Sequence, residues 1–294
     1  MNRPFYDAYQ NLPENIKLLQ ASSAAYKKAK SKEFIFTYVI LLLAIIYPFS
    51  YVFSDNEDMK LILFGCSFLI TVLTQILTTY FSGNTSKGAL LKEEFDVRLF
   101  QIPWKFTLPK PDQAEISKLS LQYKGNPIKD WYSPNLLPSI PKSTAIGICQ
   151  RINCGWDIEL RTLYRNTLQI IMISYSMLLL IFIVVTGIDG KTIFSILFSI
   201  LSFYTHFINL ISGNTTAIKK RKAISQKLDE YVNNQKELSI QNLRDIQDEI
   251  YNTRKETAKV PDFFFRQYDK RFYAQFEDYI ESINDIYSVK AKTK

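Results

Sequence analysis

Four long apolar stretches constrain the fold of this chain more than any other feature. None of them contains Asp, Glu, Lys or Arg, and they lie at 34–53, 61–81, 168–187 and 193–211. Because a helix rises about 1.5 Å per residue, roughly twenty apolar residues cross the ~30 Å hydrocarbon core of a bilayer. Buried helices of soluble proteins rarely run so long without a charge. The sequence therefore predicts an all-α membrane protein with four transmembrane helices.

Basic residues indicate which ends of the stretches lie in the cytoplasm. They precede the first and third stretches and follow the second and fourth: Lys27, Lys28, Lys30, Lys32, Lys87, Lys92, Arg161, Arg165, Lys219, Lys220, Arg221 and Lys222. The turns at 54–60 and 188–191 lack this excess. By the positive-inside bias, both termini and the 82–167 connection are cytoplasmic, and both turns are periplasmic. The net charge of +8 is therefore a topology signal that also favours contact with membrane lipids, and it does not require a DNA or RNA polymer as partner.

A four-residue repeat indicates that the two helical hairpins are copies of one unit. The sequence SGNT occurs at 82–85, after the second stretch, and at 212–215, after the fourth. This placement favours duplication over chance, and Gly with Ser, Asn and Thr predicts a break or bend of the helix there. The predicted regions are an N-terminal helix, a first hairpin, a cytoplasmic connector, a second hairpin and a C-terminal helical region: 1–33, 34–81, 82–167, 168–211 and 212–294.

Helices are also predicted in the cytoplasmic regions. Pro13 suits the first turn of the N-terminal helix, and 88–101 is typical of a second helix. Apolar spacing predicts a third helix that ends before Pro261, and an aromatic stripe predicts a fourth that packs against the connector. The residues that carry the last two patterns are Ile240, Leu243, Ile246 and Ile250, then Phe265, Tyr268, Phe272, Phe276, Tyr279 and Ile283.

The sequence contains none of the common signatures of catalysis or metal binding. It lacks GxxxxGK[ST], HExxH and GxSxG motifs. A zinc site needs about four suitably spaced ligands, whereas the chain has three cysteines and a single histidine, His206, inside the fourth stretch. We therefore expect no enzyme activity, no metal and no cofactor.

Several segments resemble one known family. The most specific is Cys149–Tyr164, CQRINCGWDIELRTLY, and others are DWYSPN at 130–135, KGALLKEEFDVRLFQIPW at 87–104 and IQDEIYNTRKETAKVPDFFFRQYDKR at 246–271. They resemble the SMODS-associated four-transmembrane effector family of bacterial anti-phage cyclic-oligonucleotide signalling systems (CBASS), over nearly the whole chain. The resemblance implies a pore-forming effector of the bacterial inner membrane, activated by a cyclic oligonucleotide that a neighbouring nucleotidyltransferase makes during infection.

The polar segment before the third stretch also suits such a ligand on chemical grounds. Arginine side chains fork onto phosphates, and Trp or Tyr rings stack on bases. The predicted ligand residues are Arg151, Trp156, Arg161, Trp131, Tyr132 and Arg254. A structural interpretation stays open, because Asp157 and Arg161 form an (i, i+4) pair and Trp is common at membrane interfaces.

Polar stripes within two of the apolar stretches suggest a conducting path. Helical spacing puts each set on one face: Thr71, Thr74, Gln75 and Thr78 in the second stretch, and Ser202, His206 and Asn209 in the fourth. A polar face inside a bilayer must meet another helix or water, because lipid offers it no hydrogen bonds. Pore lining and helix packing both explain the stripes.

Two functions from different classes follow from these observations. The first is a ligand-gated, homo-oligomeric, pore-forming membrane effector with a helical cytoplasmic sensor. The second is a non-conducting membrane scaffold or tether that recruits a cytoplasmic partner. Ion leakage through a membrane that contains the protein separates them.

Overall fold

The computed structural model describes residues 3–54, 56–234, 236–256 and 259–292, with the side chains of all of these except 74–75, 77–82, 256, 269 and 289–292. The described residues form helices and connecting loops, with no β-strand among them. The helices are α1 (Asp7–Gln10), α2 (Pro13–Phe53), α3 (Glu57–Phe100), α4 (Gln113–Ser120), α5 (Lys142–Thr186), α6 (Gly190–Ser199), α7 (Leu201–Asn233), α8 (Ile240–Glu256) and α9 (Asp262–Lys292). The predicted all-α fold class is confirmed.

Local sequence signals set the ends of the long helices. Pro13 occupies the first turn of α2, as predicted. Asn56 caps α3, because its Oδ1 accepts a hydrogen bond from the backbone N–H of Asp58 at 2.9 Å, and Asp189 caps α6 in the same way. Gly187 ends α5 with a φ of +60°, a conformation that glycine adopts at little cost. Tight turns thus fold the chain into two antiparallel helical hairpins.

The apolar stretches lie on helices of membrane-spanning length. Among the described residues, α2 and α5 are each long and apolar enough to cross a membrane. The bent pair of α6 and α7, which meet at Ile200 at an angle of 44°, passes the same length and composition test if it is counted as one span. The stretch at 61–81 lies on α3, and part of its side chains falls outside the described set.

The same long helices build both the apolar spans and a second core beyond them. The 41 residues of α2 extend about 60 Å, twice the ~30 Å hydrocarbon thickness. One half of α2 packs in an apolar core that contains Ile40, Phe203 and Phe207. Its other half packs in the second core, which contains Leu18 and Phe95, together with parts of α5, α8 and α9. Any rearrangement of the second core therefore acts on helices that continue into the apolar spans.

The turns of the two hairpins lie together at one end of the molecule. The Ser199 hydroxyl donates to the Tyr51 hydroxyl at 3.3 Å, which joins the second hairpin to the first near their turns. In the first turn, Lys60 lowers the pKa of Glu57 through a hydrogen bond and its charge, and Lys191 of the other turn adds to this. The arrangement agrees with both turns facing one side of the membrane, and the assignment of that side to the periplasm stays a prediction.

The predicted helix breaks at the two SGNT sequences are wrong. Both sequences lie inside continuous helices, α3 and α7. In α7, the Asn214 side chain donates to the Leu210 carbonyl at 2.8 Å and accepts from Arg161 Nη1 at 2.9 Å, so it stabilises the helix and its packing. The bend lies earlier, at Ile200.

The helices predicted outside the apolar stretches are present, but the N-terminal helix does not end where the first stretch begins. The helix predicted at 88–101 is the end of α3, the third predicted helix is α8, and the aromatic stripe lies on α9. The N-terminal helix is not a separate element, because α2 runs without interruption through the predicted boundary at 33 and 34.

Candidate functional site: a buried basic cluster below the spans

Four helices place charged side chains inside the second core, outside the apolar stretches. On α3, Lys92 and Asp96 are one turn apart and share a face, and α5 presents Asp157 and Arg161 in the same way. We call these residues and two arginines from α7 and α8 the buried basic cluster: Lys92, Asp96, Asp157, Arg161, Arg221 and Arg254. All are buried except Asp157, whose side chain is 23% exposed.

Asp96 organises the end of the cluster farthest from the membrane. Its Oδ2 accepts from Arg254 Nη1 at 2.6 Å and its Oδ1 from the Tyr132 hydroxyl at 2.9 Å, and Lys92 Nζ lies 3.8 Å from Oδ1. Burial by itself raises the pKa of Asp96, but Arg254 and Lys92 outweigh burial and hold the pKa below its usual value. Burial likewise disfavours the Arg254 cation, and Asp96 more than offsets this, so the Arg254 pKa is raised. Both groups are therefore charged.

Asp157 organises the end of the cluster nearest the spans. Its Oδ2 lies 2.8 Å from Arg221 Nε and accepts a hydrogen bond from Arg161 Nε. Burial opposes ionisation of Asp157, yet Arg161 and Arg221 hold its pKa below the usual value. The contacts join α5 to α7 roughly 10–16 Å before the start of the third apolar stretch at residue 168.

The two ends of the cluster influence each other electrostatically. Burial lowers the pKa of Arg221, Asp157 opposes this, and the positive charges of Arg161 and Arg254 add to the lowering. Tyr26 of α2 is close enough to both ends for its pKa to respond to Arg254 as well as to Arg221 and Asp157. The cluster is therefore one electrostatic unit.

Positive charge exceeds negative charge in this unit. Among the described residues, its four basic side chains share Asp96 and Asp157, because the nearby carboxylates of Glu33 and Glu93 pair with Lys259 and Arg244. Burial lowers the pKa of Lys92 well below its usual value, and Asp96 offsets only part of this. Burying a cation without a matching anion is strongly unfavourable. The resting fold therefore holds Lys92 and Arg221 in an environment that disfavours their charge.

Some donors in the cluster also lack hydrogen-bond partners. Among the described residues, nothing accepts a hydrogen bond from Lys92 Nζ or Arg254 Nη2. Lys92 Nζ lies instead 3.4 Å from the centre of the Trp131 ring, a cation–π contact. An unsatisfied buried donor costs about 1–3 kcal/mol. The cluster is incomplete as a purely structural ion network.

A neighbouring network in the same core has no such excess of positive charge. Arg244 Nη2 donates to Glu93 and to Asp248, and Arg244 Nη1 donates to the Pro103 carbonyl at 3.1 Å. Gln247 donates to Glu93 at 2.8 Å. Lys105 also pairs with Asp248, so two cations face two carboxylates and the network is a balanced structural link between α8 and α3.

The structure brings four of the six predicted ligand residues together. Arg161 and Arg254 belong to the cluster, and Tyr132 is hydrogen-bonded to Asp96. Trp131 is 43% exposed and covers Lys92. Together they form a basic interior with an aromatic residue at its surface.

Arg151 and Trp156 lie outside the cluster. Arg151 Nε donates to both carboxylate oxygens of Asp229, at 2.8 and 3.0 Å, and its guanidinium lies 5.1 Å from the Tyr279 ring. The Trp156 ring contacts four rings of α9: Phe265, Phe272, Tyr273 and Phe276. The aromatic stripe therefore packs against the connector, as predicted. A ligand role for Arg151 and Trp156 stays a prediction.

Lys92, Asp96 and Arg221 are absent from the ligand residues predicted from the sequence. In the sequence, Lys92 and Arg221 are interpreted only as basic residues that indicate membrane topology. The informative signal was position on the helix, because Lys92 precedes the buried Phe95 and Leu99 at helical spacing and so lies on the apolar face. A basic residue on such a face is unusual enough to suggest a site.

The predicted pore residues fall into three groups. The side chains of three lie outside the described set: Thr74, Gln75 and Thr78. Ser202 and His206 are buried, and His206 Nε2 lies 2.9 Å from Thr37 Oγ1 of α2. Thr71 bonds to a carbonyl of its own helix, and Asn209 is exposed. His206 thus contacts another helix of the same chain, and pore lining stays a prediction.

Comparison with known protein families decides the family. A model of the SMODS-associating 4TM effector domain matches residues 7–283, which is nearly the whole chain. The chain belongs to this family. The family description agrees with the two apolar helical hairpins, and the protein is an all-α membrane protein.

One curated relative and the solved structures complete the comparison. A probable CBASS effector molecule of Bacillus cereus strain VD146 is 27% identical over 183 residues. The matched region is 59% of this chain and 61% of the relative, so the match spans less than two-thirds of the relative's length. No solved structure matches the chain.

Proposed function

We propose that the protein is an anti-phage effector of the bacterial inner membrane, with both termini in the cytoplasm, and that a cyclic oligonucleotide triggers it to disrupt that membrane. The observation that carries the proposal is the position of the buried basic cluster, because three of its four helices, α3, α5 and α7, continue into the apolar stretches. The family and the CBASS relative support a signalling role in defence. The ligand shifts the protein toward a disruptive state only to the extent that it binds that state more tightly.

The junction between α8 and α9 connects the cluster with the spans. Arg254 lies in the last turn of α8. A few residues later, Lys259 Nζ lies 3.6 Å from a Glu33 carboxylate oxygen, at the start of the first apolar stretch. The Phe264 ring then packs edge-on against Tyr164 of α5, with ring centres 5.2 Å apart. A ligand that displaces Arg254 would therefore also shift the contacts of Lys259 and Phe264 with α2 and α5, next to the apolar stretches.

The proposal includes assembly of several copies. Asn209 lies on α7 within the fourth apolar stretch, and it is exposed in one chain. An exposed amide at membrane depth needs a protein partner or water, because lipid offers no hydrogen bonds. A homo-oligomer supplies either one, and a path between copies is where the predicted polar stripes would meet water.

A second candidate function is a non-conducting scaffold that recruits a cytoplasmic partner. The observation that favours it is a pair of large apolar side chains on the cytoplasmic surface. Phe106 is 99% exposed and Leu121 is 86% exposed. Exposed apolar groups of this kind often take part in protein contacts.

An experiment in cells separates the two functions. The protein is expressed from a titratable promoter in a bacterial host, together with a nucleotidyltransferase that makes a cyclic di- or trinucleotide. We expect uptake of propidium iodide only when both proteins are present and the nucleotidyltransferase is catalytically intact. A host that dies without dye uptake, or that takes up dye equally with an inactive nucleotidyltransferase, would contradict the proposed function.

A further inference from the structure

We propose that the buried basic cluster is a phosphate-binding site, closed in the resting protein, that takes the phosphodiester groups of an anionic ligand. The identity of the ligand as a cyclic oligonucleotide rests on the proposed function. The location and the chemistry of the site rest on the side chains of this chain.

The unpartnered donors of the cluster come from two helices that meet at Asp96. They are Lys92 Nζ of α3 and Arg254 Nη2 of α8, and each side chain is at least nine-tenths buried. Two buried hydroxyls without hydrogen-bond partners lie on the same helix faces: Thr85, two turns before Lys92, and Ser225, one turn after Arg221. A phosphate has oxygen acceptors on several sides, so it satisfies donors that converge from different helices.

The charge of the cluster selects an anion over other occupants. A metal cation is repelled by four basic side chains that share two carboxylates. Water satisfies donors but leaves the excess charge uncompensated. Each phosphodiester brings one negative charge, and a ring of two or three therefore balances the excess while it supplies the missing acceptors.

Trp131 defines the entrance to the site. Its ring is 43% exposed and lies 3.4 Å from Lys92 Nζ, so it separates the ammonium from solvent. The adjacent Tyr132 is anchored, because its backbone N–H donates to Gln10 Oε1 at 2.9 Å and its hydroxyl donates to Asp96. A ligand that reaches Lys92 must move the Trp131 ring, which then offers a stacking surface for a base.

The test measures thermal unfolding of the full-length protein in lipid-free detergent, with inorganic pyrophosphate as the probe. We expect pyrophosphate to raise the melting temperature of the unmodified protein. Lys92→Met removes the buried ammonium, so it should raise the melting temperature without probe and weaken pyrophosphate binding about tenfold to a hundredfold, the worth of one charge-assisted hydrogen bond. Arg221→Gln is a second variant, in which only the loss of binding is expected.

Lys105→Met is the matched control. Lys105 Nζ pairs with Asp248 at 2.9 Å and is 34% exposed, away from the cluster, so this variant should keep pyrophosphate binding. The proposal is overturned if pyrophosphate does not stabilise the unmodified protein, or if it stabilises both cluster variants as well as the control.

Two further experiments identify the source of the phosphate and distinguish a failure of the proposed site from a failure of the proposed function. Lipid headgroups are the source if phosphatidylglycerol nanodiscs raise the melting temperature of the unmodified protein above that of Lys92→Met without any probe. If Lys92→Met still permeabilises cells in response to the nucleotidyltransferase, the site proposal fails and the proposed function stands. If pyrophosphate binds the cluster but no cyclic nucleotide permeabilises cells, the site stands and the proposed function fails.

Discussion

Replacing Asp96 with Asn is expected to destabilise the folded protein by about 3–5 kcal/mol. The substitution keeps the shape of the side chain but removes the charge that lowers the cost of burying Arg254 and Lys92. It also weakens the acceptor of the Tyr132 hydroxyl. The measurement is the melting temperature in detergent, followed by tryptophan fluorescence. Glu115→Gln is the control, because the Lys87–Glu115 pair is exposed and such pairs contribute about 0–1 kcal/mol.

The same variant separates a sensing role of the cluster from a purely structural one. Without the Asp96 carboxylate, the positive charge of the cluster is even less compensated, so an added anion should recover more stability than in the unmodified protein. We therefore expect pyrophosphate to raise the melting temperature of Asp96→Asn by a larger increment. An equal or smaller increment would show that Asp96 is needed for packing alone.

Replacing Phe264 with Leu is expected to separate ligand binding from membrane disruption. Phe264 is buried against Tyr164 at the junction between α8 and the spans. Leucine retains part of the apolar contact but loses the edge-on ring contact, which is worth about 0.5–1.5 kcal/mol beyond the buried area. Pyrophosphate should stabilise this variant as it does the unmodified protein, whereas dye uptake in cells with an active nucleotidyltransferase should be largely lost.

Phe263→Leu is the matched control for this prediction. Phe263 is the adjacent residue, its side chain is 47% exposed, and its ring contacts Phe34 with centres 5.8 Å apart. The substitution is the same, but the Phe263 side chain is less buried than that of Phe264. We therefore expect both pyrophosphate binding and dye uptake to persist. Full dye uptake with Phe264→Leu would exclude the α8–α9 junction as the coupling element.

Much of the fold could be predicted because the bilayer sets simple length and polarity rules. The apolar stretches, the hairpin turns, the start of α2 at Pro13 and the packing face of α9 follow from spacing and charge alone. The SGNT prediction failed because local propensity was applied without tertiary context. In α7, Asn214 finds partners in Leu210 and Arg161, and these contacts support the helix that its sequence disfavours.

The candidate site was harder to predict, because its residues are far apart in the sequence. Arg254 is paired with Asp96 across 158 positions, a relation that helical spacing does not contain. The sequence did contain Lys92 on an apolar helix face, but a lysine after a membrane span is also an ordinary topology signal. Only the packing of α3, α5, α7 and α8 distinguishes a solvated lysine from a buried one.

The most direct test of the account uses purified protein in liposomes that contain a self-quenching dye. Cyclic di- and trinucleotides of adenine and guanine are added outside, and dye release is followed by fluorescence. The account predicts that at least one of these ligands releases dye from liposomes that contain the unmodified protein. At equal protein insertion, none of the ligands should release dye from liposomes that contain Lys92→Met. A ligand that binds the unmodified protein at the cluster yet releases no dye would contradict it.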